Sequence, residues 1–237
     1  MEKIIHKANT RGHANHGWLN SYHTFSFASY YNQERMNFGM LRVLNDDIVK
    51  PKMGFGTHPH KNMEIISIPI SGALSHKDTM GNQKAIEVGE VQAMSAGTGL
   101  THSEFNDSNT DAVNFLQIWI IPEENEVKPR YFQQYFDALE RQNKLQTVVS
   151  PIKNPVENTL LIHQSAYIKL VDLDANHHIN YTAQIGNGIY VFVIDGGIEV
   201  ANEKLQKRDA IGITKTDAVD IAATENSKVL VIEVPMN

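Results

Sequence analysis

From residue 38 onward the chain is a succession of short apolar or alternating runs, each closed by a glycine or asparagine turn, and this rhythm restricts it to an antiparallel β architecture. Met40 to Leu44 is the first run. Glu64 to Ile70 closes at Ser71-Gly72, Ala73 to Lys77 leads into Met80-Gly81-Asn82, and Gln83 to Val88 leads into Gly89-Glu90. Val91 to Ala96 precedes Gly97-Thr98-Gly99, and Leu100 to Phe105 and Val113 to Ile121 complete the set. Regular short strands with glycine turns predict a sandwich or a barrel. Upstream, residues 1–37 are rich in aromatic, His and Asn residues, and the alternation around Phe25 and Phe27 predicts a short strand with one buried face.

Pro122 to Gln142 interrupts the rhythm. Glu123-Glu124-Asn125-Glu126 and Pro129 mark a crossover, and Tyr131 to Arg141 is expected to contain a short helical segment. Beyond it β text resumes at Gln146 to Val149, Leu160 to His163, Ala166 to Val171, Ile179 to Gln184, Ile189 to Ile194 and Val229 to Val234. The second half echoes the first. Ile68-Pro69-Ile70-Ser71-Gly72, Asn82-Gln83-Lys84 and Gly89-Glu90 return as Val193-Ile194-Asp195-Gly196-Gly197, Asn202-Glu203-Lys204 and Arg208-Asp209. Repetition of a whole β unit predicts two barrels, residues 1–135 and 136–237.

The length of 237 residues suits two small units. With 41% hydrophobic and 20% charged residues the chain has a globular balance. It has no cysteine, so any metal must be held by nitrogen and oxygen. A formal charge of -6 with no basic face argues against direct nucleic-acid binding. No apolar run reaches the length of a membrane span, and the N-terminus lacks a signal-peptide pattern. The expected compartment is the cytoplasm. A monomer is expected, since nothing marks an exposed apolar strip.

Among the 11 histidines, two short patterns carry chemistry. One is Gly56-Thr57-His58-Pro59-His60, the other Gly97-Thr98-Gly99-Leu100-Thr101-His102-Ser103-Glu104. Residues i and i+2 of a strand share a face. His58 therefore projects with His60, and His102 with Glu104. Adjacent strands would bring all four together inside a barrel, as a set of three imidazoles and one carboxylate suited to a borderline divalent ion. Buried without an ion, the same groups would be costly. Four protein ligands also leave positions open for water, dioxygen or substrate. A lone His-x-His is more often structural; the second pattern, beside its own glycine turn, makes metal binding the better reading. Glu64 competes with Glu104 as the carboxylate. Glu104 is preferred because it lies two residues from a histidine on one strand face, leaving Glu64 as a partner of the ligands or a satisfied core group.

The remaining histidines read as structural. His13, His16 and His23 are expected to hydrogen-bond within the aromatic segment, His76 to be solvated, and His177 and His178 to face opposite ways. The cluster Phe25, Phe27, Tyr30 and Tyr31 reads as core rather than a substrate platform. In the second half the positions of His58 and His60 fall near Ala183 and Ile185, and no His-x-Glu follows, so the second barrel is expected to hold no metal.

Arg11-Gly12-His13-Ala14-Asn15-His16-Gly17-Trp18-Leu19, His23-Thr24-Phe25-Ser26-Phe27-Ala28, Gly54-Phe55-Gly56-Thr57-His58-Pro59-His60, Glu64, Met94-Ser95-Ala96-Gly97-Thr98-Gly99, His102-Ser103-Glu104 and Gln117-Ile118-Trp119-Ile120 together resemble the pirin family of bicupins. The likeness covers most of residues 8–131, is looser beyond, and is strongest to bacterial pirin-like proteins with quercetin 2,3-dioxygenase activity. It implies an all-β bicupin, two cupin-type antiparallel β-barrels with a short helical crossover and a metal in the N-terminal one only. The family's ligands fall on His58, His60, His102 and Glu104; Glu64 matches the general cupin motif but is not a ligand in this family. The implied cofactor is one divalent ion, iron first, with Cu, Mn, Co, Ni or Zn as alternatives.

Two functions follow from the resemblance. The leading one is a metal-dependent dioxygenase acting on quercetin-like flavonols with dioxygen, in which Glu104 serves as both ligand and catalytic base. The alternative is a non-enzymatic, metal- or redox-sensing regulator of the pirin type that binds a protein partner. An isomerase or small-molecule-binding cupin with another substrate is a third.

Overall fold

The alternating runs are strands in the computed structural model, which describes residues 1–237. In chain order they are β1 (Glu2–His6), β2 (Gly12–Asn15), β3 (Leu19–His23), β4 (Leu41–Val49), β5 (Gly54–His60), β6 (Glu64–Ser71), β7 (Ala73–Asp78), β8 (Gln83–Glu87), β9 (Glu90–Ser95), β10 (Leu100–Asn106) and β11 (Val113–Ile120). They continue as β12 (Arg130–Tyr135), β13 (Gln146–Pro151), β14 (Leu160–Ile162), β15 (Tyr167–Leu173), β16 (His178–Thr182), β17 (Asn187–Asp195), β18 (Gly197–Val200), β19 (Glu203–Gln206), β20 (Ala210–Thr214), β21 (Ala218–Ala223) and β22 (Ser227–Pro235). A seven-stranded sheet, β12-β9-β6-β11-β4-β3-β2, and a four-stranded one, β5-β10-β7-β8, make the first barrel. The second combines β1-β20-β17-β22-β15-β13-β14 with β16-β21-β18-β19. This is the two-barrel, all-β architecture the sequence predicts, and the strand order β9-β6-β11-β4 recurs as β20-β17-β22-β15. The turn at Gly72 (φ 75°) recurs at Gly196 (φ 82°), and the left-handed turn at Gly89 (φ 92°) is taken by Arg208 (φ 67°) in the second barrel.

Three local expectations change. The strand expected around Phe25 and Phe27 lies a few residues earlier, at β3, and Phe27 makes only an isolated bridge to Tyr30. The helical part of the crossover is a single 3-10 turn, Ala138–Arg141, capped by the Asp137 carboxylate, which accepts from the Leu139 N–H at 3.0 Å. Residues 130–135 before it are strand β12 instead, paired residue for residue with β9 from Arg130↔Ser95 to Tyr135↔Glu90. Tyr131, Phe132 and Tyr135 are strand formers, and that preference prevails there over the helical reading. Finally, β1 hydrogen-bonds to β20 from Glu2↔Thr214 to His6↔Ala210. A cut after residue 135 therefore does not separate the barrels, because the first strand belongs to the second one.

The largest apolar core lies between the barrels. Alternate residues of β6, β11 and β4, among them Ile66, Ile68, Leu116, Ile118 and Leu44, meet Ile168, Phe192, Leu230 and Ile232 in one cluster of 26 buried residues. The interior of the second barrel is a second cluster of 17, including Val191, Val219 and Ile221. The first barrel's interior has only clusters of 6 and 3. Its inward positions are largely polar.

Glu64 shares the outward face of β6 with Ile66 and Ile68 and is buried at the seam between the barrels. It accepts from the Ser95 hydroxyl at 2.7 Å. Burial raises its carboxyl, against hydrogen bonds from Ser95 and the His163 backbone N–H and the nearby Arg130 charge, up to about 7. An acid whose folded pKa lies above its unfolded one is not penalised below the unfolded value; the penalty grows as pH rises and is complete above the folded value. Glu64→Gln should therefore flatten the decline in stability between pH 5 and 8 and make the variant about 2 kcal/mol more stable than wild type at pH 8, the scale of a shift of more than one unit. Unfolding curves at both pH values check this; parallel losses would remove the buried carboxyl as the cause.

The turn that launches β10 depends on Gly97, where φ is 47° and an added Cβ would sit 1.9 Å from the Val127 carbonyl oxygen. Gly97→Ala is expected to cost about 2 kcal/mol or more, on the scale of strained left-handed backbone with a clash. Denaturant unfolding measures it.

Candidate metal centre

β5 and β10 are antiparallel neighbours, with Leu100 opposite His60 and His102 opposite His58. Beyond that pair the register slips, so that Glu104 stands opposite Phe55. The bulge puts the extra residue on β5 and resets its alternation. Phe55, His58 and His60 consequently all face one cavity, although Phe55 and His58 are three apart. Pro59 is tolerated because β5 is an edge strand. On the other side of β10 runs β7, with His76 opposite Glu104 and Asp78 opposite His102.

Nitrogens of His58, His60 and His102 all lie within 4.8 Å of one another. Their ring centroids are 4.4 Å (His58–His102), 4.8 Å (His60–His102) and 4.9 Å (His58–His60) apart. A Glu104 oxygen falls within the same 4.8 Å span of His76 and His102 nitrogens, so His102 is common to both groups. His58 Nδ1 is 2.8 Å from the Gly56 carbonyl oxygen. A carbonyl only accepts, so Nδ1 donates and Nε2 is the nitrogen that can offer a lone pair. His102 Nε2 is buried and has no hydrogen-bond partner. Glu104 is buried and accepts from the Gln117 amide at 3.0 and 3.2 Å, with the Ser67 hydroxyl oxygen 3.4 Å away.

Burial favours the neutral form of His60 and His102 beside a guarded carboxyl. Burial, with His58 beside it, lowers His60 to about 4. Burial and then the neighbouring histidines depress His102 further. Burial raises the Glu104 carboxyl, which the Gln117 hydrogen bond and the charges of His76 and His58 oppose. Three imidazoles with lone pairs free and an adjacent carboxylate form a donor set for a borderline dication. The unpartnered His102 Nε2 is the atom such an ion would satisfy.

The cluster opens on a cavity of ≈ 530 Å³. Trp18, Phe27, Phe55 and Trp119 supply its apolar walls, and Ser21, Asn45, Asp47 and Gln117 its polar ones. Asp47 is bound by the Ser21 hydroxyl, and burial pushes it up to about 7. His16 and His23, expected to be structural, also line this space, as does Phe27, whereas Phe25 is core. His13 does hydrogen-bond locally, to Asn20 at 2.5 Å. His76 is not solvated: it is 1% exposed, because β12 lays Tyr131 against it at a centroid distance of 4.6 Å. Its pairing was signalled by His76-x-Asp78, two polar residues on one strand face. Glu64 lies on the opposite face of its sheet from the cavity and is the satisfied core group rather than a partner of the ligands.

The second barrel holds apolar residues where the first holds the cluster. Val200 pairs with Ile221 as His76 pairs with Glu104. Tyr181 pairs with Val219 as His58 pairs with His102. The positions matching His58 and His60 are thus Tyr181 and Ala183, two residues before those expected; Ile185 is 92% exposed.

Residues 5–120 match the Pirin family and residues 147–234 the quercetinase C-terminal cupin domain. The chain is 42% identical over 231 residues to quercetin 2,3-dioxygenase of Escherichia coli K12, covering 98% of each. It is 36% identical over 222 residues to a pirin-like protein of Caulobacter vibrioides, covering 94% of this chain and 95% of that one. The crystal structure of YhhW from Escherichia coli matches with a TM-score of 0.94 at 41% identity, over 99% of this chain and 98% of that one. Bacterial pirin YhhW in complex with nickel(II) matches with a TM-score of 0.93 at 40% identity, over 99% of each. Two cupin barrels, a histidine and glutamate cluster confined to the first, and likeness across the whole length place this chain in the pirin family.

Proposed function

We propose that the first barrel holds one divalent ion on His58, His60, His102 and Glu104 and that the protein is a dioxygenase cleaving flavonol-like substrates. The observation that carries this reading is the convergence of three imidazoles and a buried carboxyl beside an aromatic-lined cavity. Its volume falls in the range of small-molecule sites. A relative of 42% identity bears the name quercetin 2,3-dioxygenase, and a relative's structure holds nickel(II) in the same fold. Iron is the ion we assign; nickel suits the same nitrogen and oxygen donors.

Bound there, the ion would supply Lewis acidity toward the substrate's enolic oxygens. The protein does the rest. Trp18, Phe27, Phe55 and Trp119 sandwich planar rings and exclude water, and Ser21, Asn45 and Asp47 offer partners to ring hydroxyls. Glu104, aimed by Gln117 and Ser67, accepts the proton of the substrate's 3-hydroxyl. Addition of both oxygen atoms across the heterocycle then releases carbon monoxide and leaves an ester.

Purified protein loaded with iron(II) in air should bleach the quercetin absorbance and evolve carbon monoxide, with His58→Ala at least tenfold slower. Wild-type bleaching no faster than that variant removes the dioxygenase reading. Elemental analysis should find close to one ion per wild-type chain and well under half for His102→Ala, which loses the residue common to both donor groups. Equal metal content in the two proteins would place the ion elsewhere.

A further inference from the structure

On the side of β10 away from β5, β7 aims two buried polar side chains into the barrel, and the proposed chemistry uses neither. His76 and Asp78 alternate on one face of the strand, and both side chains are 0% exposed. His76 Nε2 lies 3.0 Å from Asp78 Oδ2, and His76 Nδ1 lies 3.4 Å from His102 Nδ1. Asp78 also accepts from the backbone N–H of Met80 at 2.9 Å and of Asn82 at 3.0 Å, and from the Asn82 amide at 2.8 and 3.1 Å. We infer that Asp78 and His76 form a relay that locks His102 in the tautomer protonated on Nδ1, presenting its Nε2 lone pair to the ion; this rests on the metal reading above.

The proton count leads there. A carboxylate gathering four other hydrogen bonds is an acceptor, so His76 Nε2 carries the proton between them. The neutral His76 ring then has only Nδ1 to accept with. His102 Nδ1, facing it, must donate. One lone pair remains, on His102 Nε2, the buried nitrogen that has no partner. The opposite assignment, a doubly protonated His76, would leave an Nε2–H on His102 buried with no acceptor, a costly arrangement. Tyr131 packs across His76 at 4.6 Å and fixes the ring plane. Partners of this kind around a metal-binding histidine orient the ring and typically change metal affinity by about 10–100-fold. His76 is therefore a positioning residue, and Asp78 acts through it.

The test uses nickel(II) as the probe and three proteins. His76→Leu removes the acceptor, and the second barrel's Val200 at the matching position shows that an aliphatic residue fits such a site. His76→Asn keeps a carbonyl oxygen near the place of Nδ1. Competition with a chelator should show His76→Leu binding about 10–100-fold more weakly than wild type, and His76→Asn recovering most of that loss. The nickel ligand-field bands should be unmoved in His76→Asn. Wild-type protein that binds no nickel overturns the metal reading and the relay with it. Wild-type binding matched by His76→Leu overturns the relay alone, and shifted bands in His76→Asn would make His76 a ligand instead. Nitrogen-15 NMR of metal-free wild type decides independently, even if a variant fails to fold: His102 protonated on Nδ1 upholds the relay, and protonation on Nε2 ends it.

Discussion

The face-to-face packing of the two seven-stranded sheets is the constraint on which the rest of the structure depends. Its 26 buried apolar residues outnumber the 17 inside the second barrel and the 6 and 3 inside the first. Burial of apolar surface is the main driving force of folding. A solitary barrel this size would have to draw that force from its own interior. Here the outer faces supply it, and the first barrel's interior is released from the duty of being an apolar core. Histidine, asparagine, aspartate and glutamine occupy inward positions that valine and isoleucine fill next door.

Those polar residues are arrayed, not scattered. His23, Asn45, Gln117, Ser67 and Gln92 stand opposite one another in turn across β3, β4, β11, β6 and β9. Gln117 is the pivot, accepting from Ser67 at 3.1 Å while its amide holds Glu104. Groups left unpaired cluster in the same interior: His23 Nδ1, Asn45 Oδ1, Gln92 Nε2, His102 Nε2 and Trp119 Nε1. Buried polar atoms without partners are rare in finished cores, and five of them belong to this one barrel's interior. The second barrel keeps the fold without the chemistry, so the cluster is no requirement of the strand topology.

The four ligand candidates were legible because two short-range rules coincided. Alternation pairs His58 with His60 and His102 with Glu104, and a glycine turn at Gly97-Thr98-Gly99 starts the second pair's strand. The same alternation misplaces Phe55, since the bulge in β5 depends on register with β10 and leaves no mark in the local pattern. His76 was misread for a related reason. Its strand and its Asp78 neighbour are visible in the sequence, but its burial is imposed by Tyr131, which arrives from a segment that reads equally well as helix. Glu64 shows the limit from the other side. Its motif position invites a metal role, and only the face of β6 it occupies turns it toward the seam.

By itself the sequence determined the β architecture, the doubled β unit and the donor atoms available to an ion, because alternation, turn residues and side-chain chemistry act over a few positions. The tertiary structure decided that β1 closes the second barrel, that the main core lies between the barrels, and that His76 stands behind His102. Those outcomes depend on which strands pair across long stretches of chain, and pairing is settled by the joint burial of distant faces, which no local pattern records.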